Sequence, residues 1–318
     1  MPRSLFRQRL QTLRDFGYQV LPLGTALELL SAGALDKPTA VLTFDDGWHD
    51  FYTEAWPELR SFGYPATVYQ TTYYSLHQKP VFDTACSYLL WKGRGKTLRN
   101  SEITGTEEAF ELNSLDLINR VSDLILKRLN RAGASAEDKN CMLEKIAAYL
   151  EIDWDQTFSS RLLYLMTMQE VAEISRGGID IQLHTHRHRL PAKKELFLDE
   201  IFSNQDLIKA ATGKRAVHFC YPNGFYRPES PAWLKEAGVL SATTCEPGLA
   251  RRQSDRMMLS RAVDSCTVSP ARFESWLSGV GWLVPTFKKT VLSLAGRYQS
   301  ASDRVGTSDP QEQISEAG

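Results

Sequence analysis

The sequence predicts an α/β fold built on parallel strands. Short apolar or β-branched runs alternate with amphipathic helices over residues 4–69, and again from Thr167 onward. Several helices are closed by glycine, at Gly63, Gly177-Gly178 and Gly213. Two of the strands run directly into clusters of chemistry-bearing side chains, Asp45-Asp46 and His184 to His188. A strand that ends in such a cluster places it at the rim of a sheet, where loops build sites.

Each element has its own justification. Residues 4–33 open with a helix resting on Leu5, Phe6, Leu10, Leu13 and Phe16, then a short strand, Gln19–Leu23, and a second helix, Thr25–Ala32. Ala40–Phe44 is the strand before the acid pair, Phe51–Phe62 an amphipathic helix, and Pro65–Tyr69 the next strand. The pattern changes over 75–165, which is rich in Leu, Glu, Lys and Asn at helical spacing, as in Leu115–Leu129 and Asp138–Leu150. That stretch reads as a helical insertion, equally a lid or a structural cap. Alternation resumes where Thr167 and Glu170 fit a capping box. The strand Ile179–Leu183, the helix Glu195–Ala211 and the strand Ala216–Tyr221 follow. Then come the helix Ser230–Ala237 and the strands Ser241–Thr244 and Met258–Val263. The domains expected are therefore 1–74 with 166–278, the insertion 75–165, and a C-terminal helix and tail, 279–318. From Ser300 the composition is polar and is expected to be disordered.

Composition narrows the partners. The chain has 318 residues, 42% of them hydrophobic, with 37 basic and 38 acidic side chains for a net charge of −1. This balance gives no electrostatic reason to expect nucleic acid. Met1 to Arg14 is basic and helical without the apolar stretch of a signal peptide. The five cysteines are odd in number and scattered, which favours free thiols in a reducing, cytoplasmic setting. Trp276, Trp282, Leu283, Phe287, Lys288 and Lys289 lie within the apolar, basic stretch Phe273–Tyr298. That stretch suits either a terminal helix packed on the domain or peripheral contact with a membrane interface.

The chemistry concentrates in three places. Asp45-Asp46-Gly47 alone is ordinary turn chemistry. Its significance comes from Ile181-Gln-Leu-His-Thr-His-Arg-His188, which holds three of the six histidines. His184 and His188 are four apart and share a face if the chain turns helically after the strand. Two imidazoles and one carboxylate form a facial set suited to Zn²⁺ or another divalent transition metal. Adjacent acids point to different sides, so one can bind metal while the other moves a proton. Tyr221-Pro222-Asn223-Gly224 closes a third strand. Trp48, beside the acid pair, is a candidate for contact with a sugar face. Cys220 reads as a buried core thiol, and His77 and His218 as structural.

These motifs resemble the polysaccharide deacetylases, the NodB-homology group or carbohydrate esterase family 4. Thr43-Phe44-Asp45-Asp46-Gly47 is similar to its first motif, His184-Thr185-His186-Arg187-His188 to its second, and Tyr221-Pro222-Asn223-Gly224 to its third in a Tyr-Pro variant. The resemblance covers roughly residues 5–75 and 165–278. It implies a distorted (β/α) barrel of about seven parallel strands. It also implies a metal held by Asp46, His184 and His188, most simply Zn²⁺ with Co²⁺ or Ni²⁺ as alternatives. Asp45 would be the general base. The backbone N–H of Asn223 would help hold the oxyanion, and Tyr221 and Pro222 would line the substrate site. The implied activity is hydrolysis of N-acetyl groups from amino sugars of a polysaccharide or glycolipid. O-acetyl esterase activity, another amidohydrolysis on a small substrate and a non-catalytic glycan-binding role are the alternatives. Two departures matter. Cys220 stands where many members carry an arginine paired to the base, and Leu259-Ser260-Arg261 stands where many carry Leu-x-His. His186, Arg261 and Asp264 are left as assisting candidates, and Asp45 is left to carry a proton both ways.

Overall fold

The structure, a computed structural model, describes residues 1–282. The described chain forms two compact units, one of Met1–Tyr73 with the chain from Met166 on, the other Tyr74–Leu165.

The first unit opens with α1 (Arg3–Asp15), β1 (Gln19–Val20), α2 (Leu23–Ala32), β2 (Thr39–Ala40) and β3 (Thr43–Phe44). A wider π-type turn, Phe51–Ala55, leads into α3 (Trp56–Phe62), whose C-terminus closes on Gly63 in the left-handed region before β4 (Thr67–Gln70). After α4 (Tyr73–His77), which begins on the last residue of the first unit's opening segment, the second unit contains α5 (Phe82–Lys92), β5 (Thr97–Leu98), α6 (Ser101–Thr104), β6 (Phe110–Glu111), α7 (Leu115–Arg131), α8 (Ala136–Tyr149) and α9 (Trp154–Phe158). It buries its own core, including Leu89, Leu112, Ile125 and Ile146. The chain then adds α10 (Met168–Arg176), β7 (Asp180–Leu183), α11 (Lys194–Thr212), β8 (His218–Cys220), α12 (Ser230–Glu236), β9 (Ser241–Thr243) and α13 (Pro270–Leu277). The capping box at Thr167 is present, with Thr167 and Glu170 exchanging bonds at the start of α10.

Every strand of the first unit pairs in parallel. Five form one sheet in the order β3-β4-β7-β8-β9, and β1-β2 form a second. The expected strand Ala40–Phe44 is therefore one run serving two sheets: Thr39–Ala40 pair with β1, and Thr43–Phe44 pair with β4. The strand expected over Met258–Val263 shrinks to a single bridge between Thr243 and Leu259. Beyond it the Arg261 N–H turns away to Glu246 O at 3.1 Å. Residues 283–318, which carry most of the expected C-terminal helix and tail, lie outside the described residues. No helix among the described residues is long and apolar enough to cross a membrane.

Side chains alternate across the sheet. Val68, Ile181, Leu183, Phe219 and Ala242 face the helices and pack with Leu59, Val171, Ile174, Phe197 and Ile201. Tyr69 and Cys220 face the other way, against Leu23, Leu27 and Leu259. Register then fixes where the motifs emerge. Phe44 is level with Val68, Gln70 with Leu183, and Leu183 with Phe219. The residues that follow β3, β7 and β8 thus leave one end of one sheet, the carboxyl end, where parallel α/β folds carry their sites.

Candidate metal centre and its flanking carboxylate

The acid pair is placed by a strained turn. Asp46 has φ 67° and Gly47 φ 85°. The Asp46 carbonyl accepts the Thr71 N–H at 3.1 Å. At Gly47 a Cβ would meet Gln70 Oε1 at 2.0 Å, so a side chain there would have to displace the Gln70 amide. Thr185 (φ 63°), His188 (φ 56°) and Asn223 (φ 56°) are also left-handed. For a β-branched residue such as Thr185 this is an outlier, and strain of this kind gathers where a site demands it.

Here the helical turn expected after β7 is absent. His184 leaves the strand, Thr185 reverses the chain, and a bend carries His188 back. Buried Glu200 on α11 holds this bend. Its carboxylate accepts the Arg187 N–H at 2.7 Å, Arg187 Nη1 at 3.0 Å and Arg189 Nε at 2.8 Å. The outcome still brings both imidazoles to one atom: His184 Nε2 and His188 Nε2 each lie 3.2 Å from Asp46 Oδ1.

The chemistry of that contact fits a cation. His184 Nδ1 lies 2.8 Å from the Cys220 carbonyl, which can only accept, so Nδ1 carries a proton and Nε2 is the nitrogen left to offer a lone pair to a metal. Asp46 Oδ2 accepts the Trp48 indole N–H at 2.9 Å, whereas Oδ1 is buried without a hydrogen-bond partner. An orphaned carboxylate oxygen between two imidazole nitrogens is a costly arrangement unless positive charge sits among them. Two ligands each ~2.05 Å from a tetrahedral Zn²⁺ are ~3.3 Å apart, close to the spacing seen. In the protein alone, burial pushes Asp46 up, but His184 and His188, wherever they are protonated, outweigh it and hold the carboxyl far below the usual range. Burial lowers His184, while Cys220 and the carboxylates raise it further than that. Burial keeps Cys220 itself protonated, so the carboxylates are the effective cause.

Asp45 has different company. Arg261 grips it in a fork, with Nη1 on Oδ1 at 2.8 Å and Nη2 on Oδ2. The guanidinium is fixed in turn by Thr244 O at 2.9 Å and touches Cys220 Sγ at 3.1 Å. The arginine missing from the third motif is thus supplied from the segment after β9, and Cys220 is the small side chain that leaves it room. Burial raises Asp45, but the Arg261 hydrogen bonds, His184 and the Arg261 charge bring it below the ordinary value.

In the third motif, Asn223 and Gly224 are both left-handed. Gly224 packs so closely on Cys245 that a Cβ would meet the Cys245 Cβ at 2.7 Å. The Asn223 N–H has no acceptor among the described residues. Tyr221 differs from expectation. Its ring is wholly buried between Phe219 and Tyr226, and its hydroxyl donates to Met257 O at 3.1 Å, so it is core and not a substrate contact. Pro222 is buried as well. Trp48 uses its indole N–H on Asp46, which makes it a support of the carboxylate. Asp264 is drawn to Arg9 on α1 at 3.1 Å, not to Asp45. His186 is buried, with Nδ1 2.9 Å from Thr72 Oγ1 and its ring edge-on to Tyr73. Of the assisting candidates, the structure brings Arg261 to the acid pair. Sequence reasoning missed Gln70, Glu200 and Asn204. The last two left a signal, as polar residues at core-facing positions of α11 between Phe197, Ile201 and Ile208.

Comparison with known proteins fits this geometry. The family model described as polysaccharide deacetylase matches residues 32–88 and 142–242, which include all three motifs. The putative polysaccharide deacetylase YxkH of Bacillus subtilis is 34% identical over 70 residues, 22% of this chain and 25% of that protein. The poly-beta-1,6-N-acetyl-D-glucosamine N-deacetylase of Escherichia coli K12 is 39% identical over 64 residues, 20% of this chain and 10% of that protein. The matched stretch thus spans a quarter or less of these curated relatives. Among solved structures, the Streptococcus pyogenes deacetylase PplD in complex with acetate is similar with TM-score 0.53 and 20% identity, over 85% of this chain and 84% of that one. IcaB from Ammonifex degensii is similar with TM-score 0.53 and 16% identity, over 88% and 90%. These two likenesses show the fold: the parallel sheet with its helices is a distorted (β/α) barrel.

Proposed function

We propose that this chain, which belongs to the polysaccharide deacetylase family, is a metal-dependent hydrolase that removes N-acetyl groups from amino sugars of a glycan. The observation that carries the reading is the orphaned Asp46 Oδ1, set 3.2 Å from both imidazole nitrogens. Asp46, His184 and His188 would hold a divalent ion, with Zn²⁺ the first choice for two nitrogens and one oxygen. Such an ion polarises an acyl oxygen and lowers the pKa of water.

The other steps belong to the chain. Asp45, anionic under Arg261, takes the proton of the attacking water. The Asn223 N–H donates to the acyl oxygen as negative charge develops there. One such donor is worth about 3 kcal/mol where it has been measured. The amine leaves only when protonated. With no histidine after His218 in the sequence, Asp45 is the group that returns the proton. Arg261 keeps the carboxylate in place for both transfers.

Acetate release from oligomers of N-acetylglucosamine, with Zn²⁺ supplied, tests the reading. The wild type is expected to release acetate and to bind one ion. His184→Ala is expected to lose both. O-acetylated oligomers run in parallel separate amide from ester hydrolysis. A wild-type protein that binds Zn²⁺ but releases acetate from neither would leave the reading without support.

A further inference from the structure

We infer that Asn204, on α11, and Gln70, at the end of β4, are positioning residues that set the spacing between the carboxylate and the imidazoles of the metal centre. The inference rests on reading Asp46, His184 and His188 as a metal triad.

The topology poses the problem. Asp46 follows β3 and His184 follows β7, and these strands are not neighbours, because β4 lies between them. A spacing of 3.2 Å between their side chains therefore depends on whatever joins the two loops across the end of β4. That joint is a buried segment, Gln70-Thr71-Thr72, with Asn204 behind it.

On the carboxylate side, Gln70 Nε2 donates to the Asp46 carbonyl at 3.2 Å and to Thr71 O at 2.8 Å. The Thr71 N–H donates to the same Asp46 carbonyl at 3.1 Å. On the imidazole side, Thr71 Oγ1 donates to the His184 carbonyl at 3.2 Å. The His184 N–H donates to Asn204 Oδ1 at 3.0 Å. Asn204 closes the joint, with Nδ2 donating to Gln70 O at 2.9 Å and to Thr72 Oγ1 at 3.0 Å. Both backbone polar groups of His184 and the carbonyl of Asp46 are thus tied to three consecutive residues and one helix side chain.

Residue type follows from this role. Asn204 sits on the core face of α11, where an apolar side chain would otherwise serve and a polar one costs free energy unless it is bonded. Its amide orientation is decided by the His184 N–H, which requires an oxygen opposite it. An aspartate would lose the donor that reaches Gln70 O, and a leucine would lose all three bonds. Gln70 also presses its amide onto Gly47, which accounts for the glycine at that turn. Gln70, Thr72 and Asn204 are fully buried, so water cannot replace these bonds, and the spacing is set before an ion arrives.

The test is Zn²⁺ affinity of the full-length, metal-free protein, measured with Zn²⁺ alone against a competing chelating indicator. Asn204→Ala and Gln70→Met are each expected to bind about 10- to 100-fold more weakly than wild type, the range typical of groups that orient metal ligands. Gln205→Ala is the control. Gln205 is the neighbouring buried amide, and it bonds Ala216 O and Ala237 O away from the metal centre. It is expected to lower the melting temperature while leaving Zn²⁺ affinity unaltered. Should Asn204→Ala not fold, Gln70→Met decides, because the Asp46 carbonyl keeps the Thr71 N–H. Variants that bind as tightly as Gln205→Ala overturn the inference alone. A wild-type affinity that His184→Ala does not reduce overturns it together with the reading beneath it.

Discussion

Asp45 and Asp46 are neighbours in sequence and opposites in surroundings. Asp45 has both oxygens on one guanidinium, with a charge balance complete within the protein. Asp46 has one oxygen on an indole N–H and the other orphaned between two imidazole nitrogens. A carboxylate already neutralised by arginine is a poor magnet for a second cation, yet it can still accept a proton from water. A carboxylate oxygen without a hydrogen-bond partner, set between two imidazole nitrogens, is incomplete until positive charge joins it. The difference supports the proposed division of roles, proton carrier at 45 and ligand at 46.

The largest expected effect breaks this comparison at Asp45. Asp45→Asn keeps size and leaves Asp46, His184 and His188 intact, but removes the base. Zn²⁺ binding is expected to stay within a few-fold of wild type while kcat for acetate release falls by about 10²–10⁴. If kcat survives, the proton carrier lies elsewhere. A smaller effect is expected one shell out, at Arg261→Met. The Asp45 charge would then stand half-buried without its counter-ion. The loss of stability should stay below the roughly 3–5 kcal/mol of a fully buried pair, since water reaches part of this one. Turnover is expected to fall about 10- to 100-fold with Zn²⁺ affinity retained. Arg261→Lys should recover charge but not the fork, and so only part of the rate.

The parts of this design that the sequence exposes are those that follow from local pattern. Strand–helix alternation, the Thr167 capping box and glycine stops such as Gly63 all depend on neighbours within a few residues, and the structure has them. The proposed metal ligands are legible because Asp46, His184 and His188 are unusual residues in tight clusters at strand ends. The His184–His188 spacing suggested a helical turn, but Thr185 in a left-handed conformation and the Glu200 clamp produce the same convergence by a bend. The Arg261–Asp45 fork joins residues 216 positions apart, and no periodicity announces it. Tyr221 was misleading for a related reason: a tyrosine at a strand end suits a site or a core equally, and burial decides. Asp264 likewise offers a carboxylate near the right segment, and only packing shows that Arg9 takes it.

The smallest expected effect carries the comparison to two buried histidines on the same face of the sheet. His184 is pushed up because carboxylates lie against it. His218 is pushed down, because burial penalises its charged form and the facing charges oppose each other, Asp180 raising it and Arg256 lowering it. Its Nδ1 meets Ser241 Oγ at 2.8 Å, a bond the neutral ring can make. A histidine with a lowered folded-state pKa binds its proton more readily in the unfolded chain. Its contribution to stability is therefore complete above the ordinary histidine value of about 6.5, and is lost as pH falls through the folded-state value. His184 works with the opposite sign, so the quantity to read is the difference between variants. In urea unfolding of the metal-free protein at pH 7.5 and pH 5.5, His218→Gln is expected to lose less stability on acidification than wild type, even though it starts lower. Equal losses would mean that burial does not control this histidine and that the contrast with His184 has another source.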